Sequence, residues 1–98
     1  MLVRFSEDQY ERLERDAGFT DGRPAAVVKA YRKRMNFIRQ AIDERDIRAM
    51  RSSHFEKLQG ARSHQHSIRL NDQWRLILEF EGEAPSKTVV IVSIEDYH

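Results

Sequence analysis

With 98 residues the chain has room for one domain and a single modest core, not two. It is 40% hydrophobic and 34% charged, the balance of a folded protein with a heavily charged surface, and its lack of cysteine rules out disulfides, thiol catalysis and cysteine-held zinc or iron–sulfur centres. No apolar run approaches the roughly 18–20 residues of a membrane helix and no secretory pattern opens the chain, so no membrane contact and a cytoplasmic location are expected.

Leu2 to Phe5 is short and apolar and reads as a strand. Ser6 then stands as a helix N-cap with Gln9 three residues on, a capping-box pattern, while Phe5 and Tyr10 hold the hydrophobic-staple positions. Tyr10, Leu13 and Ala17 form a narrow apolar stripe, Glu11 and Arg15 an exposed i, i+4 pair, and Gly18 a stop. After a turn over Thr20 to Arg23, with Thr20 or Asp21 available as a cap, the spacing predicts a second helix from about Pro24 to Ile42. Val27, Tyr31, Met35, Ile38 and Ile42 then share one face.

The opposite face carries Lys29 and Lys33, flanked by Arg32 and Arg39. The stretch from Arg23 to Arg39 has six basic residues and no acidic one. The net charge of +1 therefore hides a gradient, because residues 76–98 carry one basic residue against five acidic. Two readings of the basic stripe stand side by side: a solvated helix face, or a face for a polyanion such as RNA.

Asp43 to Met50 is charged and reads as a short extra helical turn, Ser52 and Ser53 as a break, and Phe55 to Gly60 as a short strand. From Gln65 the period becomes two. His66, Ile68 and Leu70 alternate with polar residues, and so do Trp74, Leu76, Leu78 and Phe80. A two-residue loop would split these apolar sets over both faces of the hairpin. A three-residue loop, Asn71-Asp72-Gln73, pairs Leu70 with Trp74 and Arg69 with Arg75 and keeps the apolar set together. The two arginines then stand side by side on the face away from the helices, an arrangement that costs energy unless an anion lies between them. Gly82 to Ser86 is a second turn, and the β-branched run Thr88 to Ile94 reads as a central strand buried on both faces. The order of elements gives an α+β fold over residues 1–98. Two N-terminal helices cover one face of a mainly antiparallel four- or five-stranded sheet.

Few residues are placed for chemistry. His64 and His66 have no third ligand at a recognisable spacing, so no metal site is expected. A Gly-rich phosphate loop, a serine elbow and an HExxH pattern are all missing. Proton transfer and phosphate neutralisation remain. RNA brings its own nucleophile, the 2′-hydroxyl, so an enzyme needs a base, cations on the phosphate and an acid for the leaving 5′-oxygen. Arg69 and Arg75 suit the cation role, since guanidinium bonds phosphate in a bidentate way. Asp96, Tyr97 and His98 offer acid, base and stacking groups. A plainer reading is a frayed chain end and strand arginines paired with Glu79 or Glu95.

The stretch Leu58-Gln59-Gly60-Ala61-Arg62, the hairpin SIRLNDQWR and the ending EDYH together resemble the HigB-type branch of the RelE/ParE toxin superfamily, closely over about the last forty residues. The resemblance implies a compact RelE-like domain and a type II toxin–antitoxin system. It also implies a ribosome-dependent messenger RNA endoribonuclease that works without metal or cofactor, leaves a 2′,3′-cyclic phosphate and a 5′-hydroxyl, and inhibits translation and growth. The implied partners are a HigA-type helix-turn-helix antitoxin, the ribosome and mRNA, with DNA met only through the antitoxin complex. Carried over to this chain, Arg75 is the phosphate-stabilising arginine, and Asp96, Tyr97 and His98 are the C-terminal functional residues. Arg69 matches a further arginine of the family; apart from the resemblance, Arg69, Arg62 and Lys57 are candidate phosphate contacts, and the basic helix face with Lys29, Arg32, Lys33 and Arg39 is a candidate for docking on ribosomal RNA. Before Gly60 some members carry a histidine and a lysine; this chain has Glu56 and Gln59, which leaves the general base open and suggests a weak toxin. The rival reading is a non-nuclease, either a ParE-like gyrase inhibitor or a degenerate toxin acting with its antitoxin as an operon co-regulator.

Overall fold

In chain order, β1 (Leu2–Phe5) is followed by three helices, α1 (Asp8–Arg15), α2 (Ala25–Gln40) and α3 (Glu44–Ala49), and then by β2 (Glu56–Lys57), β3 (His66–Arg69), β4 (Trp74–Glu81) and β5 (Thr88–Asp96). Short 3-10 turns at Arg51–Ser53 and Gly60–Arg62 flank β2. The structure, a computed structural model, describes residues 1–84 and 87–97. The strands form one mixed sheet in the order β1-β5-β4-β3-β2, with β1 parallel to β5 and the other pairs antiparallel. This is the expected α+β layout, with five strands.

The core lies between the helices and one sheet face. Leu13, Val27, Tyr31, Met35, Ile38 and Ile47 meet Ile68, Leu76, Leu78, Val89, Ile91 and Ile94. Full burial of such aliphatic side chains is worth roughly 1.5–3 kcal/mol each. The Tyr31 hydroxyl sits in this core and donates to the Tyr10 carbonyl at 2.8 Å, so its polar atom is satisfied where burial would otherwise be costly. The exposed Glu11–Arg15 pair forms as read.

The helix ends depart from the sequence reading. Ser6 does not cap α1. Its N–H donates to the Ile91 carbonyl at 2.9 Å and its hydroxyl to the Val92 carbonyl at 2.8 Å, so it prolongs the β1–β5 pairing. The helix begins at Asp8 with Glu7 flanking it and no side-chain cap. It ends at Arg15, which leaves Ala17 exposed and outside the stripe. Neither Thr20 nor Asp21 caps α2; Pro24 flanks it, and its carbonyl accepts from Val27 and Val28. At the far end α2 stops at Gln40, and Ile42 is 84% exposed rather than part of the core stripe. The N-terminal ammonium donates to the Ile38, Arg39 and Ala41 carbonyls at 3.5, 3.1 and 2.6 Å, taking the place of further helical turns. Past this break the 100° periodicity no longer applies, and Ile47 of α3 supplies the buried residue instead.

The hairpin forms as parity requires. The Leu70 N–H donates to the Trp74 carbonyl at 2.9 Å, and Arg69 pairs with Arg75. Asn71 holds the loop, its Oδ1 accepting from the N–H groups of Gln73 and Trp74 at 2.9 and 2.8 Å, as short Asx side chains do in turns. The strand read over Phe55 to Gly60 shrinks to two paired residues, because Gly60 takes a left-handed φ of 63° and opens a 3-10 turn.

β5 runs between β1 and β4, with Val89, Ile91 and Ile94 in the core and Val90, 4% exposed, on the opposite face. It also carries a bulge. Leu78 pairs with Ile91 and Ile77 with Ser93, leaving Val92 as an extra residue. Of the second turn, Pro85 and Ser86 lie outside the described residues.

Candidate active site

Strand register fixes which side chains share the sheet face away from the helices. On β3 and β4 these are Ser67, Arg69, Arg75, Ile77 and Glu79, and past the bulge Ser93 and Glu95 join them from β5. Arg69 and Arg75 are directly opposite one another. Arg69 Nη2 donates to Asp72 Oδ1 of the loop. Arg75 Nη1 donates to the carbonyls of Asn71 (2.7 Å) and Trp74 (3.2 Å), and the Arg75 guanidinium carbon lies 5.4 Å from the centre of the Tyr97 ring. Among the described residues Arg75 has no carboxylate within ion-pair distance. Tyr97, 44% exposed, is held by its N–H on the Gln73 carbonyl at 2.6 Å, which pins the strand end against the hairpin loop.

Glu95 is opposite Arg75 in the β4–β5 register, but its carboxylate goes elsewhere. Arg62 Nη1 and Nη2 donate to its two oxygens at 3.0 and 2.7 Å, and the Ser93 hydroxyl adds a third bond at 2.7 Å. The bond from Arg62 is the main reason the Glu95 pKa lies below the ordinary glutamate value, and the same bond raises that of Arg62. Beside them Gln65 Nε2 donates to Glu79 at 2.8 Å and its Oε1 accepts from Arg62 at 2.9 Å; His64 Nε2 lies 3.6 Å from Glu79. The face therefore combines an arginine pair, one partly exposed aromatic ring and a tied-off set of carboxylates.

Of the residues singled out from sequence, Arg69, Arg75, Arg62 and Tyr97 come together here. Asp96 pairs in register with Trp74, on the other face of β5 from Glu95, and its Oδ2 accepts from Gln73 Nε2 at 3.0 Å. Lys57 aligns with His66 and so lies on the helix side, while Glu56 aligns with Ser67 on the arginine side. His98 lies outside the described residues. His66 pairs in register with Leu78, on the helix side of the sheet. It stacks on Phe55 (4.8 Å between ring centres) and meets Phe80 edge-on, and burial is the main cause of its lowered pKa.

The basic helix face divides in two. Arg32 donates to the carbonyls of Leu13, Asp16 and Phe19, each at 2.9 Å, closing the C-terminal end of α1. Arg39 forms a two-bond pair with Glu14. Lys29 and Lys33 are exposed and border a shallow groove with Ala26, Ala30 and Leu70. Two residues at the site escaped the sequence reading as functional candidates. Glu95 is one, and its only signal was its place opposite Arg75 once the register is known. The other is His54, whose Nε2 is 3.5 Å from Arg69 Nη1 and for which no spacing rule gave a signal.

A small mixed sheet covered by helices on one face, with arginines gathered on the other, defines the architecture of a RelE-type toxin. Among solved structures, the chain is similar to a YoeB/ParE toxin from Agrobacterium tumefaciens over 100% of both chains, with a TM-score of 0.60 and 16% identity, a likeness of fold alone. The family model that describes the RelE-like toxin of the type II toxin–antitoxin system HigB matches residues 3–98, and the chain belongs to this HigB-like toxin family. It is thus the toxin half of a type II pair, with an antitoxin as its partner. No curated protein matches it. Among the described residues no helix is long and apolar enough to cross a membrane.

Proposed function

We propose that the chain is a metal-independent endoribonuclease that cuts messenger RNA held on the ribosome, and so stops translation and growth. The observation that carries this reading is the arginine pair: Arg69 faces Arg75 on the open sheet face, with the Tyr97 ring beside Arg75. Two arginines in register on neighbouring strands suit a phosphodiester, whose charge grows as the 2′-oxygen attacks phosphorus. An aromatic ring next to them gives an adjacent base a stacking surface. Arg75 is assigned to the phosphate in its transition state, Arg69 and Arg62 to the flanking backbone, and Asp96, Tyr97 and His98 to the acid, base and stacking groups of the C-terminal end. Lys57, on the other sheet face, is left to a more distant backbone contact. Lys29 and Lys33, with Arg32 and Arg39 behind them, form the side that meets ribosomal RNA.

The antitoxin is proposed to be a HigA-type helix-turn-helix protein, and the place of action the cytoplasm. The test is to map RNA 5′ ends after brief induction. Codon-phased cuts carrying 5′-hydroxyls are expected. DNA damage without such cuts would overturn the nuclease reading in favour of gyrase inhibition.

A further inference from the structure

We propose that His54 is the general base of this site, taking the proton from the attacking 2′-hydroxyl; the inference rests on the nuclease reading above. Glu56 and Gln59 stand where relatives of this type carry a histidine and a lysine, so the role needs another holder.

Three observations converge on His54. First, the residue leaves the 3-10 turn Arg51–Ser53 with φ 47° and ψ 52°, and among the described residues only Asp21 is another non-glycine with positive φ. Left-handed backbone is disfavoured for side-chain-bearing residues and concentrates at functional positions. Second, its Nε2 is 3.5 Å from Arg69 Nη1, one contact away from the pair assigned to the phosphate. Guanidinium only donates, so a hydrogen bond between the two requires Nε2 to carry its lone pair, the form a base needs. Third, the placement is built. Arg34 Nε donates to the Arg69 carbonyl at 3.1 Å and Arg34 Nη2 to the Ser52 carbonyl at 3.0 Å, clamping the turn to β3 while the His54 ring stays exposed. The charged group in contact with the ring is Arg69 from β3, which bonds Asp72 of the loop in turn, while Arg34 from α2 meets the Ser52 carbonyl in the preceding turn.

Three of the competing bases are committed elsewhere, and Glu56 on the arginine side aligns with Ser67, two residues along β3 from Arg69. Glu95 is held by Arg62 and Ser93, and Glu79 by Gln65. His66 is packed between Phe55 and Phe80 on the helix side. In the step itself, His54 Nε2 accepts the 2′-hydroxyl proton as the 2′-oxygen bonds to phosphorus. The bond from phosphorus to the 5′-oxygen breaks, and that oxygen leaves with a proton from the acid of the tail. His54 afterwards returns its proton to water.

The test compares wild type, Arg75→Ala, His54→Asn and His54→Gly as full chains, on ribosomes programmed with mRNA, in single-turnover cleavage across pH 5–9. Asparagine tolerates left-handed backbone and still accepts a bond from Arg69, so His54→Asn keeps the fold and removes only the titrating group. A loss of about 100-fold or more is expected, the usual worth of a general base, together with loss of the limb of the pH–rate profile that the base contributes. Added imidazole is expected to restore part of the activity of His54→Gly and none of that of Arg75→Ala. Cleavage by His54→Asn within about threefold of wild type, with an unchanged pH profile, overturns the assignment of His54 and leaves the nuclease reading intact. Wild type that does not cut overturns both.

Discussion

Arg75 and Glu95 are cross-strand neighbours, yet the Glu95 carboxylate is bonded through both oxygens to Arg62. Arg62 thereby keeps a negative charge from settling on the arginine assigned to the phosphate. Arg62→Gln is expected to release Glu95 towards Arg75 and slow RNA cleavage about tenfold, roughly 1.4 kcal/mol on the barrier. The double variant R62Q/E95Q should recover the share of that loss due to the freed carboxylate and keep the share due to the Arg62 backbone contact. A double variant as slow as the single one would show that the Glu95 carboxylate plays no part.

Replacing Arg75 separates charge from shape. Arg75→Ala is expected to lower single-turnover cleavage by about 100- to 1,000-fold, the range for loss of a donor to developing negative charge. Arg75→Lys should fall between the two, since an ammonium keeps the charge and loses the planar fork. Equal rates for lysine and arginine at this position would mean that bidentate geometry plays no part.

The basic face of α2 predicts two different phenotypes. Arg32→Ala removes three bonds to the carbonyls that end α1 and its following turn, and should cost about 2 kcal/mol, lowering the melting temperature by about 10 °C. Lys29→Glu with Lys33→Glu should leave melting unchanged and weaken co-sedimentation with ribosomes, most visibly as salt is raised. Unaltered sedimentation of the lysine double variant would remove this face from ribosome docking.

His66 gives the fold an acid sensitivity. Burial first, and then the Arg48 charge, hold its pKa below the ordinary histidine value, while Glu44 opposes and Lys57 and Lys87 reinforce that shift. Above the unfolded value of about 6.5 both states are neutral and the fold keeps its full stability. As the pH falls from there towards the lowered folded value, the unfolded chain takes up a proton that the folded chain resists, so stability declines. His66→Phe, set between Phe55 and Phe80, should lose less stability in denaturant titrations between pH 7 and 5 than wild type does. An identical decline in both would assign the sensitivity to other groups.

How much could be read from the residues alone depended on whether a single pattern governed them. The hairpin was legible because alternation with one buried face admits one register, so Leu70 had to meet Trp74 and Arg69 had to meet Arg75. The helix ends were not, because local signals lost to partners distant in sequence. Ser6 has the chemistry of a cap, but a β5 carbonyl takes its hydroxyl. Ile42 continues the α2 pattern on paper, but the N-terminal ammonium ends the helix before it. The arginines and Tyr97 were visible as chemistry, whereas His54 was not. Its contact with Arg69 depends on a left-handed exit from a three-residue turn and on a clamp from Arg34, and neither leaves a periodic trace.

The surplus residue at Val92 acts as a parity bit for the whole tail. Every side chain downstream of it takes its side of the sheet from whether that position is counted. Ironing out the bulge with Val92 kept, so that Val92 met Ile77, would turn Glu95 into the hydrophobic layer and swing Asp96 round towards the arginines. Losing the Val92 codon would instead leave both where they are, because Ile91 and Ser93 already oppose successive residues of β4.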